Sequence, residues 1–298
     1  MITELQNTDV GVITATLVEA HQREGAASGM VHTLLVACHQ VHIERAFSAA
    51  LDAAREHPSR VVIVVESPDR EGLAARIQVG EGVPGDIITL HIPSGMAEHL
   101  ETLLLPLLLP DSPVIAWWPG ASPAEPAEDP LGRLAHRRIT DAGGVKDPLA
   151  ALLVRAEHLS PGDTDLTWTR LTTWRGLLAA ALDQHPGEVM RAEVEAVAHN
   201  APAELLASWL ADRLGVEVSR TSSEGPAITA VRLTMPDGVI ALERHEGSIA
   251  TYRIPGQPDR PVALPRRDMN ALITEELRHS GRDLLFERAC QVHLERVR

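Results

Sequence analysis

Cysteine, histidine and paired acids are the residues with which this chain could do chemistry. Cys38, His39 and His42 cluster, and Cys290 and His293 form a second pair with C-x-x-H spacing. Together they offer the thiolate and imidazole donors that zinc takes. The plainer reading of Cys38 is a small buried apolar residue, because it ends a run of strand-forming residues. Spacing alone cannot place Cys38 and Cys290 within bridging distance of one another. Asp163 and Asp165 form a D-x-D pair. Such a pair suits magnesium or a sugar phosphate held through it, and equally suits the loop before a helix, where acids cap and meet the dipole. Gly80-Glu81-Gly82-Val83-Pro84-Gly85 formally matches G-x-G-x-x-G. That motif works by opening a helix whose N–H groups face a pyrophosphate. Here a strand pattern follows and Pro84 removes one donor, so a surface turn is expected. The sequence holds no G-K-[ST] loop, no G-x-S-x-G elbow and no H-E-x-x-H pair. No catalytic residue, cofactor site or metal site is expected.

Ala116-Trp117-Trp118-Pro119-Gly120 is the most unusual local run. Neighbours on a strand face opposite sides, so one tryptophan can fill a core while the other faces a crevice. Tryptophan and arginine are favoured anchors of protein interfaces. His136-Arg137-Arg138 is a basic patch in an acidic chain. Its guanidinium groups suit a phosphate or a partner carboxylate, or simply solvent.

These residues need a scaffold, and the patterning supplies one. Val10, Ile13 and Leu17 have helical spacing, with Gly25 as a stop. Val31 to Cys38 reads as a strand, Ile43 to Ala54 as a helix ended by His57-Pro58, and Val61 to Val65 as a strand covered on both faces. Arg76 to Val79 and Ile87 to Ile92 suggest an antiparallel pair at one edge. Ala97 to Leu107 is helical in pattern, and Val114 to Trp118 is a further buried strand. Shorter helices at Leu131 to Ala135 and Pro148 to Ala156 flank a strand at Arg138 to Thr140. Strands alternating with helices predict a mainly parallel sheet. Residues 1–160 are read as a Rossmann-like three-layer α/β domain, with Ser160-Pro161-Gly162 as the junction.

Residues 161–298 read as a smaller α+β domain. Trp174, Leu177, Leu178, Ala181 and Leu182 line one helix face, and Leu206 to Leu214 mark another helix. After Gly215 the period changes to alternation at Val231 to Met235, Val239 to Arg244 and Ile249 to Ile254, an antiparallel meander. Helices at Met269 to Leu277 and Asp283 to Arg298 follow, the first expected on the far side of that sheet.

Composition narrows the function classes. The chain has 298 residues, 27 basic against 41 acidic, with a net charge of −14. Nucleic-acid binding calls for a basic surface and is disfavoured. An anionic membrane would also repel the chain. The most apolar stretch, Leu103 to Leu109, is broken by Pro106 and is too short to span a bilayer. Met1 to Asp9 is polar and acidic, unlike a signal peptide, and a cytoplasmic location is expected. Lys146 is the only lysine, which fits codon bias in a GC-rich genome.

Several runs occur in a fixed order: Leu107 to Asp111, Ala116 to Gly120, Asp129 to Gly132, Arg137 to Asp141, and Gly162 to Leu171 followed by Trp174-Arg175. In this order they resemble the glucose-6-phosphate dehydrogenase assembly protein family, OpcA, in its actinobacterial form. The resemblance implies a chain without activity of its own that binds glucose-6-phosphate dehydrogenase, promotes its active oligomer and raises NADPH supply. It brings no catalytic residues. The cyanobacterial branch links its cysteines to thioredoxin, a role not carried over to Cys38 and Cys290. The surface expected to dock on the dehydrogenase includes Trp118, Arg137, Arg138, Asp163, Asp165 and Trp168. The competing reading is a sensor or enzyme that holds a sugar phosphate or nucleotide in the α/β crevice.

Overall fold

The structure, a computed structural model, describes residues 1–24, 29–80, 82–244 and 246–298. Gly25, expected to stop the first helix, and Glu81 of the glycine loop lie outside them. In chain order the elements are β1 (Ile2–Leu5), α1 (Val10–Glu24), β2 (His32–His39), α2 (Ile43–Glu56), β3 (Ser59–Glu66), β4 (Ala74–Val79), β5 (Gly85–Ile92), α3 (Leu100–Leu104), β6 (Val114–Trp117), α4 (Pro130–Leu134), β7 (Arg137–Thr140), α5 (Pro148–Glu157), β8 (Asp163–Asp165), α6 (Leu166–Thr169), α7 (Thr172–Gln184), β9 (Arg191–Ala196), α8 (Ala201–Leu214), β10 (Val218–Ser222), β11 (Ile228–Met235), β12 (Gly238–Glu243), β13 (Ile249–Arg253), β14 (Arg260–Ala263), α9 (Met269–Glu276) and α10 (Leu284–Val297).

Contacts divide the chain into two units. Unit 1 holds Met1–Asp141, Ser160–Thr164 and Asp268–Arg282; unit 2 holds Ala142–Leu159, Asp165–Arg267 and Asp283–Arg298. Where the sequence suggests one junction near residue 160, the chain changes unit several times.

The eight-stranded sheet has the order β1-β4-β5-β3-β2-β6-β7-β8. Its centre is parallel: β3 pairs with β5 and β2, and β6 with β2 and β7. The β-branched run of β3 is buried at nearly every position, as a central parallel strand requires. β4 pairs antiparallel with β5, as the sequence suggests. β1, which the polar start of the chain does not announce, adds an outer antiparallel strand. Gly85 lies against β3, where a Cβ would sit 2.1 Å from the Ser59 carbonyl oxygen, so only glycine fits there. One sheet face packs on Ile13, Leu17 and Ala20 of α1 and on Leu100, Leu103 and Leu104 of α3. The buried face of α2 is all alanine: Ala46, Ala49, Ala50, Ala53 and Ala54.

The helix expected beside the C-terminal meander lies elsewhere. α9 packs on α2, with Asn270 Nδ2 2.5 Å from Asp52 Oδ2 and Arg278 Nη2 2.6 Å from Glu56 Oε2. Periodicity gives a helix its apolar face but not the element that will cover it.

Unit 2 is built on a six-stranded sheet of order β10-β9-β11-β12-β13-β14. β11 to β13 form the expected meander, and β14, which the alternation does not announce, adds a further antiparallel strand. β9 pairs antiparallel with β11 and parallel with β10, and α8 connects β9 to β10. α8 begins under Asn200, whose Oδ1 accepts from Ala203 N at 2.9 Å, and carries Pro202 in its first turn. It ends at Gly215 with φ 66°. Cap, proline and left-handed glycine each fit the end at which they stand. Leu205, Leu206 and Leu210 of α8 and Phe286, Ala289 and Cys290 of α10 share a core with Val194, Val231 and Leu233 of the sheet.

Candidate functional site

In a doubly wound sheet, ligands sit at the carboxyl ends of the strands where the strand order reverses. Here that point lies between β2 and β6. A crevice of about 460 Å³ opens there, lined by Cys38, His39, His42, Glu66, Trp118 and Asp129 among others. Val41 stands at its wall, 82% exposed.

The turn from β2 to α2 decides what this crevice can hold. It runs His39-Gln40-Val41-His42, a single 3-10 turn without glycine. Neither His39 nor His42 makes a side-chain cap bond. A dinucleotide-binding turn uses glycines so that backbone N–H groups approach a pyrophosphate. The imidazole of His42 packs against Gly120, where a Cβ would lie 3.3 Å from His42 Cδ2. The formal glycine motif at Gly80 to Gly85 joins β4 to β5, two antiparallel strands, and opens no helix.

Electrostatics point the same way. Among the described residues, the crevice wall carries Glu66 and Asp129 and neither arginine nor lysine. Burial pushes the Asp129 carboxyl up, the nearby Glu66 adding to this, against the pull of the Leu131 and Gly132 N–H groups and Arg133. Asp129 Oδ1 accepts from Leu131 N at 2.9 Å and caps α4. Burial pushes the Cys38 thiol up to about 11, so it is almost wholly protonated at neutral pH. Cys290 is likewise pushed up by burial and by the charges of Asp165, Asp283 and Glu287. Both cysteines are free and buried. Among the described residues, no group of three or more His, Cys, Asp or Glu could hold a metal ion.

The six residues expected to dock on a partner are interior, none more than 8% exposed. Trp118 does line the crevice while Trp117 fills the core, 0% exposed. The other five are internal ties. Arg137 Nη2 donates to Glu276 Oε1 at 2.5 Å, and Nη1 to the carbonyls of Glu276, at 3.1 Å, and His279. It thereby clasps the end of α9 to β7. Arg138 donates through Nε to Asp163 and through its other nitrogens to the Ala135 and Pro161 carbonyls. Asp163 also accepts from Ser160 N at 2.9 Å. Asp165 caps α6 through Thr167 N at 2.8 Å and accepts from Ala142 N at 2.9 Å. Trp168 Nε1 donates to Asp283 Oδ2 at 2.7 Å, beneath the Arg175 guanidinium 3.6 Å from its ring centre. Asp283 Oδ1 caps α10. The D-x-D acids thus serve an arginine and a helix start. Arginine is usually exposed, and only the fold reveals a carboxylate that draws it inside.

What sequence reasoning missed is a second cavity, in unit 2, lined by Arg170, Arg244, Arg266 and Arg267. The arginines are scattered along the sequence, and only the Arg266-Arg267 pair signals them.

Comparison with known proteins fixes the family. Residues 50–157 match the N-terminal domain, and residues 161–290 the C-terminal domain, of the family described as the glucose-6-phosphate dehydrogenase subunit. A Synechococcus elongatus protein bearing the name OxPP cycle protein OpcA is 29% identical over 150 residues. That match covers 47% of this chain and 34% of the relative, so the chain aligns with about a third of that protein's length. A crystal structure of KijD10, a 3-ketoreductase from Actinomadura kijaniata in complex with TDP-benzene and NADP, has a TM-score of 0.50 at 13% identity. It covers 88% of this chain and 94% of that one, a likeness of fold alone. With its paired N- and C-terminal domains and its Rossmann-like sheet, the chain belongs to the OpcA family of glucose-6-phosphate dehydrogenase assembly proteins.

Proposed function

We propose that the chain is a non-catalytic assembly factor and activator of glucose-6-phosphate dehydrogenase, working in the cytoplasm and supporting NADPH production. One observation carries this reading: both domains of the family match in succession along one chain. The crevice supports it, because among the described residues its wall sets two carboxylates beside two histidines and holds no arginine or lysine, a poor match for a phosphate dianion. That weighs against a sugar phosphate or nucleotide bound there.

An activator works by binding the active state of its enzyme more tightly than the inactive one. A coupling of ~1–3 kcal/mol changes ligand affinity several-fold or more, and the enzyme's ligands tighten assembly by the same factor. Arg137, Arg138, Asp163, Asp165 and Trp168 contribute to partner binding indirectly, by holding the segments that present the surface. Trp118 contributes from the crevice wall.

The test is an assay of the cognate dehydrogenase with and without the chain, with the size of the mixture measured alongside. A higher rate with a larger complex is expected. An unchanged rate and no complex would reject the reading, as would turnover of a metabolite by the chain alone.

A further inference from the structure

The cavity in unit 2 has a volume of about 210 Å³, and among the described residues its wall holds four arginines and no carboxylate. Arg244, just after β12, is 3% exposed. Its Nη1 donates to the Leu264 carbonyl at 2.6 Å and its Nη2 to the Ile228 carbonyl at 3.2 Å. Its guanidinium carbon lies 5.3 Å from the Trp174 ring centre, and its buried Nε–H has no hydrogen-bond partner among the described residues. Arg266, which is exposed, donates to the Gly247 and Pro226 carbonyls, each at 3.0 Å. Carbonyl dipoles therefore meet the charge of both groups, and an aromatic face that of Arg244. Burial, with Arg266 close by, pulls Arg244 down to about 10. In a chain of net charge −14, Arg244 and Arg266 set two cations met by carbonyl oxygens at this cavity.

We propose that the cavity binds a small phosphomonoester, with its dianionic phosphate received by Arg244 and Arg266 and its organic part against Trp174, Leu171 and Leu264. The Nε–H of Arg244 and the charges of the two guanidinium groups suit a phosphate dianion. The volume lies below the ~300–1,000 Å³ of drug-sized pockets, which suits a phosphate with a few carbons and excludes a dinucleotide. The site is separate from the crevice, and it stands whether or not the chain activates a dehydrogenase.

The experiment is calorimetry on the full chain with inorganic phosphate and with glycerol phosphate, at ionic strength matched with sodium chloride. Saturable one-to-one binding of both probes is expected. Arg266→Ala should weaken both by about tenfold or more, the loss of one charge-assisted contact, with an unchanged circular dichroism spectrum. Arg244→Lys, which keeps the charge but loses the fork, should weaken them as well. Absence of saturable binding to the wild-type chain would overturn the proposal. So would equal affinity in Arg266→Ala. Binding of inorganic phosphate without glycerol phosphate would overturn the ester class.

Discussion

Arg138 in unit 1 and Arg244 in unit 2 are buried to similar degrees, 7% and 3% exposed, yet they keep different company. Arg138 meets the carboxylate of Asp163, and its neighbour Arg137 meets Glu276. Arg244 meets two carbonyl oxygens and a tryptophan face. A buried ion pair is closed: each charge answers the other, and removing one leaves the other stranded. A buried cation held only by dipoles retains attraction for an anion from outside. Charge placement in the first case fixes the fold; in the second it invites a ligand.

The comparison breaks most visibly at Arg137. Arg137→Ala takes the guanidinium from beside the buried Glu276 carboxylate, and a loss of ~3–5 kcal/mol is expected, read by urea denaturation as a lower midpoint of unit 1. Pairing it with Glu276→Leu should recover much of that loss; no recovery would mean that the clasp acts through shape and not charge.

Titration gives the next largest effect. His32, buried in β2, is pulled down to about 4 by burial and by the nearby His57. The unfolded chain takes up the proton near 6.5, the folded chain only near 4. The stability from neutral His32 is therefore full above about 6.5 and is lost as pH falls from there towards 4, by at most ~3 kcal/mol. Melting followed across that range should show the fall, and His32→Gln should flatten it.

A smaller loss is expected at Trp168. Trp168→Phe keeps an aromatic ring beneath Arg175 but removes part of a buried indole together with the N–H donated to Asp283. About 1.5–3 kcal/mol is the usual worth of a hydrogen bond to a charged group, visible in the melting of unit 2. The smallest stability effect belongs to Arg266→Ala, within ~0.5 kcal/mol as for most surface changes, and this is what makes it a clean probe of anion binding. A large destabilisation there would show that its bonds to the Gly247 and Pro226 carbonyls hold the fold.

Much of the fold was legible because burial leaves its mark on residue type. The runs of β2, β3, β5 and β6 are β-branched and apolar since both their faces are covered. The meander shows its alternation, and Pro236-Asp237-Gly238 its turn. β1 and β9 were not legible. β1 is a short outer strand of mixed character, and β9, Arg191 to Ala196, places glutamates on one face where Arg232 answers Glu193 and Glu195 at 2.7 and 2.8 Å. The site was less legible than the fold. Trp118, Arg137, Arg138, Asp163, Asp165 and Trp168 stand out by type. Their partners Glu276, Asp283 and Ala142 are set by three-dimensional neighbourhood, and so the direction in which the side chains face was hidden. The arginine cavity draws on residues from 170 to 267, too dispersed for any local pattern.

The interleaving of the two units has a consequence for biosynthesis. The β-sheet of unit 1 is nearly complete once Thr140 has left the ribosome, but Arg137 and α2 wait for a strip that begins at Asp268. More than a hundred residues, most of them belonging to the other unit, must be translated in the interval. A nascent chain halted at residue 160 would expose a polar-lined seam on α2 and an uncompensated guanidinium, a species prone to capture by chaperones. A single cut near residue 160 would leave the 268–282 strip on the other piece from β7 and α2, so unit 1 expressed by itself would need that strip fused to it.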